Sequence, residues 1–188
     1  SPIENQVSAT TQSAPRTALT GSSVMTTSPF SRRTQSVTAF SGFSSAGVAT
    51  RNVIGVFVTV NCSNTVARRI ADHFTAERLA DWPNVDAVVA CIHDQGCGME
   101  MTGEPMDLLR RTVGGYIRNP NTAAALVVSL GCERNNLKEF LAQEKLVPGP
   151  RLRTLVMQEA GGTAKSIEAG IAMVKEMLPL ANAVKRET

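Results

Sequence analysis

Val53-Ile54-Gly55-Val56-Phe57-Val58-Thr59-Val60, followed at once by Asn61-Cys62-Ser63-Asn64, is the stretch on which the fold turns. The run is rich in β-branched residues and has no polar alternation. It reads as a strand buried on both faces, the environment of a parallel sheet. Ser63 or Asn64 suits a helix N-cap. Val66, Ile70 and Phe74 then recur at i, i+4 and i+8, an apolar stripe on a helix that runs to about Ala80. Trp82-Pro83-Asn84 breaks it.

The same order of events repeats three times. Val85-Asp86-Ala87-Val88-Val89-Ala90-Cys91-Ile92 is a second strand, and a loop from His93 to Gly103 leads to a helix with Leu109, Val113 and Ile117 on one face. Ala124-Ala125-Leu126-Val127-Val128-Ser129-Leu130 is a third strand, turning through Gly131-Cys132-Glu133 into a shorter helix from about Asn136 to Glu144. Arg153-Thr154-Leu155-Val156-Met157 is a fourth, followed by Gln158 to Thr163 and a last helix facing inward with Ile167, Ile171, Val174 and Leu178. Four strand–turn–helix units predict an α/β domain of Rossmann-like kind: three layers, a mostly parallel four-stranded sheet, helices on both faces and right-handed crossovers. The units differ in length and content, so this is not a solenoid.

Residues 1–45 are of another kind. They are rich in Ser and Thr, carry one early acid in Glu4, and show no sustained period. Such a segment buries too little apolar area to offset its ordering entropy. It reads as a disordered leader or linker before an α/β domain over 46–188. Arg16, Arg32 and Arg33 also suit an organelle transit peptide.

Composition narrows the function. At 188 residues, 43% hydrophobic and 19% charged, the chain matches an ordinary soluble globular domain. A formal charge of +3 with scattered basic residues gives no footprint for nucleic acid. No run of about 18 apolar residues is present, so no membrane span is expected. The four cysteines are too few and too spread for a disulfide scaffold and suit reduced thiols in a cytoplasmic protein.

In open parallel sheets, ligands bind beyond the carboxyl ends of the strands. Those ends carry Asn61-Cys62, then His93-Asp94-Gln95-Gly96-Cys97-Gly98-Met99, then Gly131-Cys132-Glu133, then Gln158-Glu159 with Gly161-Gly162-Thr163. Cys62, Cys97, Cys132 and His93 are therefore expected on one rim, with Cys91 left inside a strand as core. Singly each has a plain reading: Cys62 as a small buried hydrophobe, His93 as the partner of a loop carbonyl, Gly161-Gly162-Thr163 as a helix entry. Equally, the free amides of that entry suit an anion. Together on one edge they point to a functional site. P-loop and dinucleotide fingerprints are absent, and Cys91, His93 and Cys97 do not match a paired Cys-x-x-Cys zinc site.

These segments, with Gly47-Val48-Ala49-Thr50-Arg51-Asn52 before the first strand and Leu109-Arg110-Arg111-Thr112 with Gly115-Tyr116 in the second helix, resemble the altronate and galactarate dehydratase family over roughly residues 38–188. Departures occur at Gly47 and Ala49, where the family commonly has Arg and Gly, at Asp94-Gln95 for Gly-Thr, and at Arg134-Asn135-Asn136 for Val-Asn-Gln. The resemblance implies a lyase that removes water from a hexonate or aldarate, giving a 2-keto-3-deoxy acid with the help of a divalent metal, iron or manganese. Relatives include a sulfo-lyase acting on sulfolactate. It also implies a catalytic region that continues beyond Thr188, so the chain is expected to be a fragment lacking part of its site.

On that reading His93 is a metal ligand or general base, Cys97, Cys62 and Cys132 are soft ligands for iron, and Glu133 orients a ligand or shuttles a proton. Arg51 pairs with the substrate carboxylate, and Asn61, Gly161, Gly162 and Thr163 bind substrate. The partners implied are a small-molecule sugar acid, the remaining catalytic segment or a partner subunit, and further copies of the chain; nucleic acid and membrane are not among them. The competing reading is a non-catalytic anion-binding domain or partial subunit that needs a partner. Limited proteolysis is expected to trim residues 1–45 and leave a core starting near residue 46, read by mass spectrometry; a protected, compact leader would contradict the assignment.

Overall fold

A computed structural model describes residues 38–40 and 47–184, with side chains from 49 to 184. The leader assigned from the sequence lies outside the described residues, apart from one short strand within it. That strand, β1 (Thr38–Phe40), pairs antiparallel with β2 (Gly47–Ala49) as a two-stranded sheet.

The main sheet has four strands: β3 (Val53–Val58), β4 (Ala87–Cys91), β5 (Thr122–Ser129) and β6 (Leu152–Val156). Every pairing is parallel and the spatial order is β4-β3-β5-β6. The two central strands are the β-branched runs, and β5 is buried along its whole length. This is what a strand covered on both faces requires.

Alternation sorts the residues of these strands into two cores. Ile54, Val56, Val58, Ala124, Leu126 and Val128 point to one face, against Val66 and Ile70 of α1 (Asn64–Asp72) and Val174 and Met177 of α5 (Thr163–Asn182). Phe57, Ala125 and Val127 point to the other, against Val113 and Ile117 of α2 (Glu104–Ile117) and Phe140 of α3 (Leu137–Gln143). The layers are thus helix, sheet, helix, as the sequence predicts. No helix among the described residues is long and apolar enough to cross a membrane.

Local differences from the sequence reading have physical causes. The first helix stops at Asp72, yet Phe74 and Leu79 remain buried in the turns that follow. β4 is shorter than expected because it is an edge strand, with Val89 40% exposed. β6 ends at Val156, and Met157–Ala160 forms a single helical turn, α4. The buried stripe of α5 runs through Ser166, Gly170, Val174, Met177, Leu178 and Ala181, leaving Ile167 and Ile171 at its margin. Gly170 explains the rotation: a Cβ there would lie 2.3 Å from Ile70 Cδ1, so α5 turns its smallest residue onto α1. Asn136 caps α3, accepting from the N–H groups of Lys138 at 3.0 Å and Glu139 at 3.3 Å, whereas the Ser63 side chain makes no cap.

The second core is the smaller one and centres on Phe140, which is fully buried. Phe140→Ala is expected to destabilise the domain by about 3–5 kcal/mol, measured by urea unfolding at neutral pH.

Candidate active site at the carboxyl edge of the sheet

The chain leaves β3 toward β4 on one side and leaves β5 toward β6 on the other. The carboxyl ends of β3 and β5 are therefore a topological switch point, where a crevice opens between diverging connections. β3 runs on through Thr59-Val60 into a 3₁₀ turn at Asn61–Ser63. β5 runs on into Gly131-Cys132-Glu133.

Glu133 turns back into this crevice and is 7% exposed. Its Oε1 accepts from the Thr59 hydroxyl at 2.7 Å and from the Ser129 hydroxyl, and its Oε2 accepts from the Gly131 N–H at 2.6 Å. Burial alone would push the carboxyl pKa up. The hydrogen bonds from Ser129, Thr59 and the backbone outweigh burial and hold it below the ordinary value. Beneath it, Asn135 is fully buried and donates to Thr59 O at 3.0 Å. Its Oδ1 accepts from Arg110 Nε at 3.0 Å, and Arg110 continues to Gln143 and Glu139. A polar chain thus joins α2 and α3 to the ends of both central strands.

The loop after β4 lies across the end of β3. His93 Nε2 is 3.0 Å from Val58 O, and the Gln95 N–H donates to His93 Nδ1 at 3.2 Å. The second bond makes Nδ1 an acceptor, which places the ring proton on Nε2. Asn61 N–H donates to Gln95 O at 2.9 Å, and Gly96 O accepts from the N–H groups of Arg134 at 3.1 Å and Asn135 at 3.3 Å. Gly96 has φ +102°, and a Cβ there would sit 2.4 Å from Thr59 O. Only glycine allows so close an approach.

Cys62, Cys97 and Cys132 are all exposed on this edge. Desolvation and the neighbouring thiol of Cys97 push the Cys62 thiol up, with a further contribution from Cys132. Its S–H points to Asn61 Oδ1 at 3.6 Å. Cys132 Sγ accepts from the Gln158 amide at 3.2 Å. Gly131, at φ +116°, leaves room for that contact: a Cβ there would meet Gln158 Oε1 at 2.7 Å. At the end of β6, Gly161 and Gly162 have φ +88° and +100°, Thr163 opens α5, and the Lys165 side chain lies over Gly161.

The structure therefore gathers Asn61, Cys62, His93, Cys97, Cys132 and Glu133 on one edge, with Gly161, Gly162 and Thr163 at the neighbouring strand end. Arg51 is not brought there. It precedes β3 at the amino edge, its N–H bonded to Asn121 Oδ1 at 2.7 Å. At ~3.3 Å per residue, β3 alone separates the two edges by about 20 Å. His93 has both ring nitrogens committed to backbone, and Glu133 is sealed in as a hydrogen-bonded carboxylate. Thiols are suitable donors for iron. Yet among the described residues no three of His, Cys, Asp and Glu are arranged to hold a metal ion. With His93 turned to Val58 O, these residues do not by themselves fit the divalent centre that the resemblance implies.

Sequence reasoning placed Gln158 at the rim but missed Thr59, Ser129, Asn135 and Arg110 as site-builders. A signal was present for the first two: each is a hydroxyl residue closing an otherwise apolar strand.

Comparison with known proteins fits this geometry. The family model described as D-galactarate dehydratase/altronate hydrolase, second domain, matches residues 44–182. The chain belongs to this family. It is 30% identical over 142 residues to an altronate dehydratase of Bacillus subtilis (strain 168) and 29% identical over 140 residues to one of Escherichia coli (strain K12). The alignments cover 76% and 74% of this chain but 27% of each relative, so the chain spans about a quarter of their length. No solved structure matches.

Glu133→Leu leaves two hydroxyls and one N–H without their acceptor and is expected to cost about 3 kcal/mol at pH 7; Glu133→Gln costs less, since the amide still accepts. The folded carboxyl lies below its ordinary value of 4.5. Its contribution is complete above that pH and lost as pH falls through the lower folded value. The stability gap between the native chain and Glu133→Leu is therefore expected to stay level from pH 7 to 5 and narrow below about 4.5, measured by denaturant titration.

Proposed function

We propose that this domain supplies one wall of a site that dehydrates a hexonate or aldarate, such as altronate or galactarate, to a 2-keto-3-deoxy acid. What carries the reading is the convergence of three exposed thiols with Asn61 at the switch point of a domain in this family. A polyhydroxy acid needs donors for its hydroxyls and cations for its carboxylates. Asn61, the amides of Gly161-Gly162-Thr163 and the Lys165 ammonium lie on this edge. Arg134, exposed beside Glu133, is a further cation on the loop after β5. These suit the role that Arg51 was expected to fill.

Dehydration also needs a base, an acid and exclusion of water around the reacting carbons. One edge of a sheet faces the substrate from one side, so the opposite wall, the proton-transfer groups and the seat for iron or manganese belong to another segment or subunit. The roles proposed for this chain are binding and orientation. Exposed thiols suit a reducing, cytoplasmic compartment. The reading of the chain as a binding module without chemistry of its own is favoured by the same observation: neither His93 nor Glu133 is free to move a proton.

The test uses the pure 188-residue chain under reducing conditions with iron(II) or manganese(II). Saturating altronate or galactarate is expected to slow alkylation of Cys62, Cys97 and Cys132 several-fold and leave Cys91 unchanged. Release of 2-keto-3-deoxy acid should stay far below an ordinary ~10 per second. Protection by sulfolactate alone would move the substrate class to sulfonates. No protection by any of the three, together with no turnover, would end the reading.

A further inference from the structure

The three rim thiols differ in how they are held, and the difference singles out a pair. Cys132 has a partner of its own, since its sulfur takes the Gln158 amide at 3.2 Å. Cys62 and Cys97 instead flank the line along which two loops are pressed together. Asn61 N–H donates to Gln95 O at 2.9 Å, one residue before Cys62 and two before Cys97. A Cβ on Gly96 would lie 2.4 Å from Thr59 O and 2.9 Å from Val60 Cα, so the two backbones are already in contact where the thiols emerge. The Cys97 thiol is among the groups that push the Cys62 thiol up, and both are exposed.

Neither loop is free to move the pair apart. His93 to Val58 O, Asn64 Nδ2 to His93 O, and the Arg134 and Asn135 N–H groups to Gly96 O pin the 93–97 segment from three directions. A disulfide needs Cα atoms about 4.4–6.8 Å apart and side chains that converge. The loops are joined at Asn61 N–H to Gln95 O and pressed together at Gly96, which brings the segments carrying the two cysteines side by side.

We propose that Cys62 and Cys97 form an oxidation-sensitive dithiol, a modification site that a hydroperoxide converts into an intramolecular disulfide bridging the β3 and β4 loops. Cys97 begins the reaction. It stands between two glycines, and the space beside Gly98 is open. Its thiolate attacks one oxygen of hydrogen peroxide and the O–O bond breaks, giving a sulfenic acid and hydroxide. The Cys62 sulfur then attacks the sulfenic sulfur. The S–O bond breaks, an S–S bond forms, and the displaced hydroxide leaves with the thiol proton as water, while the hydroxide of the first step takes a proton from solvent. Two thiols lose two electrons in all, and one peroxide becomes two waters. A thiol-based reductant reverses it by exchange. The cross-link itself is independent of the dehydratase reading; its consequence, a strap closed over the edge that binds the sugar acid, rests on that reading.

The experiment is done on the intact, dilute 188-residue chain with hydrogen peroxide and no substrate, so it is decided apart from any activity. Free thiols are expected to fall from four to two and return to four with dithiothreitol, and a non-reducing peptide map should join the Cys62 and Cys97 peptides. Cys132→Ser is expected to leave the joined peptide intact. Cys97→Ser should abolish it. A join through Cys132 or Cys91, sulfenic or sulfinic acid without a joined peptide, or four thiols unchanged after peroxide would each overturn the assignment.

Discussion

The Glu133 carboxylate is the constraint on which the carboxyl edge depends. It ties the two central strands where their connections diverge, taking hydroxyl protons from Thr59 on one and Ser129 on the other. Those strand ends are where backbone pairing stops and where a crevice needs walls of fixed spacing. A buried charge is tolerated because nearly every acceptor position is filled. Asn135, hydrogen-bonded to Thr59 O and to buried Arg110, extends the same network beneath it. Rim geometry is thereby coupled to the packing of α2 and α3 against the sheet.

This coupling explains how loops can carry a site without being soft. Loops at strand ends are ordinarily the mobile part of an α/β domain. Here the 93–97 segment is fixed by backbone and side-chain bonds at His93, Gln95 and Gly96, and the 131–135 segment grips it through Gly96 O. The glycines at 96 and 131 serve proximity, letting main chain or an amide side chain come within contact distance. Preorganisation of this kind spends the ordering entropy during folding, so that a ligand need not supply it.

Much of the architecture was legible because buried strands and amphipathic helices leave periodic traces. The runs at Val53 and Ala124 gave the central strands, and the turn residues after them gave the rim. Cys62, Cys97, Cys132 and His93 fell together because one topological rule places all strand ends on one edge. Other features left no such trace. Arg51 was assigned to the substrate by its charge, but a strand's length separates it from the thiols. Glu133 was read as orienting a ligand or shuttling a proton, and its burial was not foreseen. Whether a carboxylate faces solvent or two hydroxyls depends on which strands are neighbours, and the order β4-β3-β5-β6 is not written in any local window. The rotated stripe of α5 is a case of the same kind, decided by the fit of Gly170 against Ile70.

The edge also bears on how chemistry is divided within the family. Glu133 and His93 are the groups whose residue types most suggest proton transfer, and both are spent on holding the loops. What remains exposed are sulfurs, amides, the cations Arg134 and Lys165, and the carboxylates of Asp94 and Glu159. In a chain that spans about a quarter of its relatives' length, the buried carboxylate and the imidazole on this edge are hydrogen-bonded into the framework that positions the thiols.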